Sequence, residues 1–424
     1  VNLSAFATIG ASLITYALVS RRLSRLSVTG PMFFMLIGLA IGPTGLGFLE
    51  GSFDEGLIEV LAELTLVVLL FTDASRIDVV RLRQNVQIPV RLLAVAMPLG
   101  VGLGTLAGKL LIPGAGIAEL ALLAAVLIPT DAALGQAVVS NPRVPGRIRQ
   151  ALNVESGLND GLILPAITIL TAVAAAELGD RSAGVWAEFA ARQIGFGVLI
   201  GVGAGAAGGV LLDKAWTRGW VEGVMRQISA LSIAAVAFSL AEVVGGNGFV
   251  AAFLAGLAFG TVARGHCESA AEFAEDQGHL LTLLTFLFFG AVLVGPELGQ
   301  ITPTVALYSL LSLTLVRMLP TAVALVGMGL EPPTIAFLGW FGPRGLASIL
   351  FGVSVLHTAE LSEGTIFTTA VTTTVALSVV LHGATSVPFS AAYARWFDTM
   401  DDVEMAEGVA VEEIRPRGGM RSDP

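Results

Sequence analysis

Between Pro129 and Asp160 the chain reads PTDAALGQAVVSNPRVPGRIRQALNVESGLND, two hydrophobic segments around a short basic loop. Each segment carries acids where a lipid-buried helix should carry none: Asp131 in the first, Glu155 and Asp160 in the second, with Ser156 and Asn159 among them. An ionised carboxylate at membrane depth costs at least ~3 kcal/mol on insertion scales, so such residues line polar cavities and mark ion or proton paths. On a helix, Ser156 and Asp160 are i, i+4 neighbours, as are Glu155 and Asn159. One row offers a hydroxyl and a carboxylate, suited to a hard monovalent cation that takes oxygen ligands. The other offers a carboxylate and an amide. Pro129 breaks the first segment, which frees backbone carbonyls near Thr130 and adds the Thr130 hydroxyl; unwound backbone at this depth is tolerated only where it faces protein or water.

Two arginines also lie in apolar surroundings, Arg317 in SLTLVRMLPTAV and Arg344 in GWFGPRGLASIL. The plainest reading pairs them with Glu155 and Asp131, as struts between helices. That reading leaves a remainder, because the deep acids Asp73, Asp131, Glu155 and Asp160 outnumber the deep arginines. Burial disfavours a bare carboxylate charge, so a proton and a cation compete to neutralise it. Asp160 is the residue assigned that part. Asp73, in LVVLLFTDASRID, is either a solvated helix-end acid or a group that draws cations to the entrance and completes their coordination shell.

The elements that must position these groups are membrane helices. The chain has 424 residues, 54% hydrophobic and 13% charged, with a mean hydropathy of +0.82. A soluble protein carries roughly 25% charged residues, so the composition is that of an all-α polytopic membrane protein and not of a nucleic-acid binder or a soluble enzyme. The single Cys267 excludes an intrachain disulfide, no Cys/His spacing suggests a bound metal centre, and no cofactor is expected. Residues 1–20 are apolar without a preceding basic region, which argues against a cleaved signal peptide. Apolar runs delimit about thirteen spans, near 3–20, 30–48, 56–73, 88–111, 117–139, 147–176, 187–212, 226–244, 248–263, 279–295, 301–328, 333–357 and 363–390. The join at Gly245–Gly248 is the least defined, and the sixth span is long enough to tilt.

Arg21, Arg22, Arg25, Arg76, Arg81, Arg83, Arg91, Arg143, Arg147, Arg149, Lys214, Arg218, Arg226 and Arg264 fall in alternate loops; the other loops hold Lys109, Arg181 and Arg192 and acids such as Glu50, Asp54 and Glu55. This bias predicts an outside N-terminus and a cytoplasmic C-terminus. Pro129 interrupts the fifth span and Gly342-Pro343 the twelfth, seven spans later. Paired interruptions point to an inverted repeat, with spans one to six (about 3–176) and eight to thirteen (about 226–390) of opposite topology and 187–212 as linker helix. Residues 1–397 then form one transmembrane domain, and 398–424 a short acidic tail with Asp401, Asp402, Glu404, Glu412 and Glu413, of disordered composition. In the seventh span Gly197, Gly201, Gly205 and Gly209 allow close approach of another backbone, within the subunit or between two copies. The histidines His266, His279, His357 and His382 are scattered, and lone histidines of this kind are structural or solvated more often than sensors.

Taken together, Pro129-Thr130-Asp131, Glu155-Ser156-Gly157-Leu158-Asn159-Asp160-Gly161, Arg317 and Gly342-Pro343-Arg344-Gly345 resemble the monovalent cation:proton antiporters of the sodium/proton exchanger type, including the NhaP-like proteins, over essentially all thirteen spans. The resemblance implies a homodimeric secondary antiporter of Na+ or K+ against H+, with six-helix inverted repeats and crossed, discontinuous helices 5 and 12. It implies that Asp160 is the exchanging carboxylate and Asn159 the neutral neighbour of electroneutral members. It further implies that Ser156, Thr130 and the Asp73 position contribute to the cation site, that Glu155 pairs with Arg317, and that Arg344 stands at the helix crossing near Asp131. Two departures are Ala132, where a proline often follows Thr-Asp, and Asp73, where some relatives carry glutamate; the side chain is one methylene shorter, which puts direct ligation by Asp73 in doubt. The chain lacks the long cytoplasmic regulatory region of many eukaryotic relatives, an expectation of prokaryotic origin.

Readings from other classes are a cation channel and an intramembrane aspartyl protease using Asp131 and Asp160. The protease leaves the paired helix breaks and buried arginines without a role, and fluxes far above those of an exchanger would mark the channel. Na+ and K+ both take oxygen ligands, so K+/H+ exchange stands beside Na+/H+ exchange.

Overall fold

A computed structural model describes residues 3–48, 55–77, 87–178, 183–263, 267–358, 361–400 and Glu407. Glu50, Asp54, Arg81, Arg83, Arg181, Arg264, His266 and the tail acids Asp401, Asp402, Glu404, Glu412 and Glu413 lie outside these residues. The described chain folds into fifteen helices. They are α1 (Leu3–Arg25), α2 (Gly30–Ile41), α3 (Glu55–Ser75), α4 (Gln87–Leu111), α5 (Ile117–Val126), α6 (Ala132–Val139), α7 (Gly146–Leu178) and α8 (Ala183–Thr217). There follow α9 (Gly223–Val243), α10 (Gly248–Val262), α11 (Cys267–Phe288, running on through a π turn), α12 (Pro303–Ala324), α13 (Pro332–Trp340), α14 (Leu346–Thr358) and α15 (Gly364–Phe397). Among the described residues six helices are long and apolar enough to cross a bilayer unaided.

Local chemistry sets the boundaries. Thr29, Asn247 and Thr302 each accept the backbone N–H three residues on, at 3.4, 3.0 and 3.2 Å, and so start α2, α10 and α12. The join between α9 and α10 is a true break: Gly245 takes φ +79°, which ends α9, and Asn247 opens α10. The run 30–48 is helical only to Ile41, since Gly42-Pro43 turns the chain. Two π turns, Leu92–Ala96 and Phe289–Val294, each lie just before a proline, Pro98 and Pro296, whose ring cannot accept the regular turn beneath it. α7 spans 33 residues, about 50 Å, longer than a hydrocarbon core of about 30 Å requires.

The glycine stripe of α8 is used inside the subunit. Gly201 and Gly205 lie on the backbones of Ala251 and Ala255, Gly197 on the Asn247 carbonyl and Val250, and Gly209 on Val262, so α8 and α10 pack backbone to backbone. α10 repeats the device on its other side: a side chain at Gly256 or Gly260 would collide with the carbonyls of Phe71 and Ser75 in α3. These contacts carry the last turn of α3, with the half-buried Asp73, against the bundle. At the far end of the described chain, buried Glu407 accepts the Glu331 N–H at 2.8 Å where α13 begins.

Candidate functional site

Two interrupted helices meet at their breaks. α5 stops at Val126, the chain is non-helical through Pro129, Thr130 and Asp131, and α6 resumes at Ala132; α13 stops at Trp340 and α14 resumes at Leu346. The unwound strands bond to each other, Asp131 N–H donating to the Pro343 carbonyl at 2.8 Å. Each strand also closes the other's helix. The Asp131 carboxylate accepts the Leu346 N–H at 2.9 Å, and the Arg344 guanidinium donates to the Ile128 carbonyl at 2.6 Å. An anion therefore sits at the positive start of α14 and a cation just beyond the negative end of α5, the favourable sense for both helix dipoles. Gly345 is needed here, because a side chain at that position would overlap the Asp131 carboxylate.

α7 lies against this crossing. Thr130 Oγ1 accepts the Asn159 amide N–H at 2.6 Å and is 3.0 Å from Ser156 Oγ, and all three residues are buried. The expected i, i+4 rows are thereby crossed: Ser156 joins Asn159, its i+3 neighbour, through one threonine hydroxyl of the broken helix. Asn159 Oδ1 is buried and accepts no hydrogen bond among the described residues. Asp160 follows on the same helix, half-buried, with its Oδ1 enclosed. A narrow cleft of about 10 Å³ reaches Asp131 and Ser156 between α6, α7 and the second break, lined also by Asn153, Phe341 and Pro343.

One turn away, Arg317 donates two hydrogen bonds to Glu155, at 2.5 and 2.8 Å, in the fork geometry of a buried guanidinium–carboxylate pair. α12 bends at Thr314, with ψ −89°, which turns Arg317 inward. Gly342 packs against that guanidinium, which a side chain there would push aside. The bonds that tie Thr130, Ser156 and Asn159 together do not include Asp73, which stands in the last turn of α3.

Glu119 and His382 are buried groups that sequence reasoning did not connect to another helix. Glu119, in the first turn of α5, accepts the Ser362 hydroxyl and, at 2.9 Å, the Glu363 N–H, which ties α5 to the start of α15. It reads in sequence as an ordinary acid at a helix N-terminus. His382 reaches the second break from α15. Its helical spacing to Ser378 was the one available signal.

Apolar helices interrupted in pairs, with buried oxygen ligands at the crossing, define a polytopic membrane protein of transporter architecture. The fold is similar to that of the sodium proton antiporter MjNhaP1 from Methanocaldococcus jannaschii at pH 8, with a TM-score of 0.70 at 18% identity over 92% of this chain and 100% of that one. At the sequence level, residues 9–392 match the family described as sodium/hydrogen exchanger, transmembrane. The chain belongs to that family, whose members are transporters and not enzymes. It is similar to the K(+)/H(+) antiporter NhaP2 of Shewanella sp. (strain MR-4), 24% identical over 83% of this chain and 61% of that protein. It is also similar to the Na(+)/H(+) antiporter 2 of Zygosaccharomyces rouxii, 26% identical over 58% of this chain and 32% of that protein. The chain thus spans about three fifths of the length of the Shewanella relatives.

Proposed function

We propose that this protein exchanges Na+ or K+ for H+ across a membrane, with cation and proton competing for Asp160. The observation that carries this reading is the buried set Thr130–Ser156–Asn159 at the first helix break, with an Asn159 oxygen that accepts no hydrogen bond among the described residues and Asp160 next in sequence. Hydroxyl, amide and carboxylate oxygens suit a dehydrated monovalent cation, and the similar proteins named above are a K(+)/H(+) and a Na(+)/H(+) antiporter. Asp160, Ser156 and Thr130 ligate the cation in this scheme. Asp131 and Asn159 complete the polar surroundings, and Asp73 guards the approach. Glu155 with Arg317, and Arg344 at the crossing, neutralise the buried charges and dipoles that a binding carboxylate would otherwise meet.

Only the neutralised site changes sides. Charged Asp160 would face a desolvation barrier of several kcal/mol on the way, and a proton or a cation removes it equally. Asn159 adds no second titrating group, so one proton exchanges for one cation and no net charge moves. The proposal extends to thirteen membrane crossings in two inverted six-helix repeats, a homodimer, and an N-terminus outside with the C-terminus in the cytoplasm. The basic residues of alternate loops and the paired breaks support this arrangement.

The test is dye-based antiport in everted vesicles with each cation in turn. Asp160→Asn should abolish exchange, and normal activity in that variant removes Asp160 from its role. A rate that follows an imposed voltage in liposomes rules out the electroneutral form.

A further inference from the structure

The second helix break is held from outside by a third helix. α15 passes beside it and presents Ser378, His382 and Thr385 at i, i+4 and i+7, one face of a helix. His382 Nε2 lies 3.0 Å from the Trp340 carbonyl, the last of α13, and the Trp340 indole N–H donates to Thr385 Oγ1 at 2.9 Å. On the far side of the break, the Arg344 N–H donates to Ser378 Oγ at 2.6 Å. His382 Nδ1 stands 3.1 Å from that same hydroxyl and 3.0 Å from the Ser378 carbonyl. Ser378 and His382 are both buried.

Donor and acceptor roles follow from chemistry. Both ring nitrogens face a carbonyl, and a neutral ring donates to only one. Nδ1 also has the Ser378 hydroxyl as a donor, so the proton is assigned to Nε2. Ser378 Oγ receives the Arg344 N–H and has one proton to give, and the Nδ1 lone pair is there to take it. The relay runs from Arg344 N–H through the Ser378 hydroxyl to His382 Nδ1, and from Nε2–H to Trp340. A single tautomer of one imidazole therefore joins the residue that ends α13 to the residue that leads into α14.

We propose that His382 and Ser378 form a clasp that fixes the width of the second break and so positions its strand on the first. The connections run onward from the clasped strand: Arg344 to the Ile128 carbonyl, the Pro343 carbonyl to Asp131 N–H, and Leu346 N–H to the Asp131 carboxylate. Asp131 adjoins Thr130, whose hydroxyl organises Ser156 and Asn159. His382 and Ser378 are positioning residues that act on the site only through the two breaks. This inference rests on the exchange site proposed above.

The test uses the full chain in liposomes. His382→Leu and Ser378→Ala should each raise the half-saturating cation concentration roughly tenfold, the equivalent of two modest hydrogen bonds, while the maximal rate changes less. His382→Gln, which keeps an N–H aimed at Trp340, should recover most of the loss. The double variant should lose no more than the worse single one, because the two residues act as one relay. Unchanged half-saturation in all variants, or fully additive losses, overturns the clasp. If His382→Leu does not fold, Ser378→Ala carries the same comparison.

A second readout is independent of transport: 15N NMR of the chain with His266, His279 and His357 replaced by Gln. Protonation at Nε2 with a bare Nδ1 is expected, and the opposite tautomer overturns the clasp. Activity retained by Asp160→Asn would sink the exchange site while leaving this tautomer result to stand.

Discussion

The Asp131 carboxylate accepts the backbone N–H of Leu346 at 2.9 Å, so the acid that ends one break caps the half-helix that leaves the other. The bond replaces water that a membrane interior cannot supply, and the charge faces the positive end of α14. Arg344 does the converse for α5 through the Ile128 carbonyl. The opposite charges of Asp131 and Arg344 thus meet the opposite ends of two half-helices at one crossing.

Asp131→Asn keeps an acceptor for Leu346 but discards the charge. It should lower stability by about 0.3–2 kcal/mol, the worth of a charge at a helix end. Gly345→Ala should cost more, since its methyl group would occupy the space of the Asp131 carboxylate. Thermal unfolding of the purified protein ranks the two variants, and the reverse order would reject this account of the crossing.

Arg317→Met leaves Glu155 buried without its counterion and should destabilise by about 3–5 kcal/mol. Adding Glu155→Leu to Arg317→Met should restore much of that loss, because a buried ion pair and an apolar pair of similar size differ little. If the double variant melts no higher than the single one, the pair has a role beyond charge compensation.

Competition at one carboxyl has a kinetic signature. As pH falls, the half-saturating Na+ or K+ concentration should rise with the maximal rate unchanged. Exchange measured in proteoliposomes across a pH series reads this directly. A falling maximal rate with constant half-saturation would mean that protons act elsewhere.

Gly201→Leu and Gly205→Leu should destabilise each subunit, because their side chains would enter the backbone of α10 at Ala251 and Ala255. The drop in melting temperature should be the same at high and low protein concentration. A loss seen only on dilution would place the stripe between subunits.

Much of the framework is legible in the residue order. Pro129 and Gly342-Pro343 mark the two breaks because proline cannot donate its nitrogen and glycine does not resist an extended strand, whatever lies around them. The apolar runs mark the helices for a similar reason, since in lipid each segment must satisfy its own backbone. The acids and arginines stand out as too costly to bury without purpose.

What the one-dimensional pattern left open were the partners. Helical spacing groups Ser156 with Asp160, yet Thr130 from another helix draws Ser156 to Asn159. The α8 glycines fit a contact within or between subunits, and only the place of α10 decided it. Asp131 and Arg344, opposite in charge and near each other at the crossing, each reach for a backbone group of the opposing strand. Spacing along a chain sets which side chains share a face; which of several compatible groups they meet depends on distances between helices far apart in sequence, and those exist only once the bundle has packed.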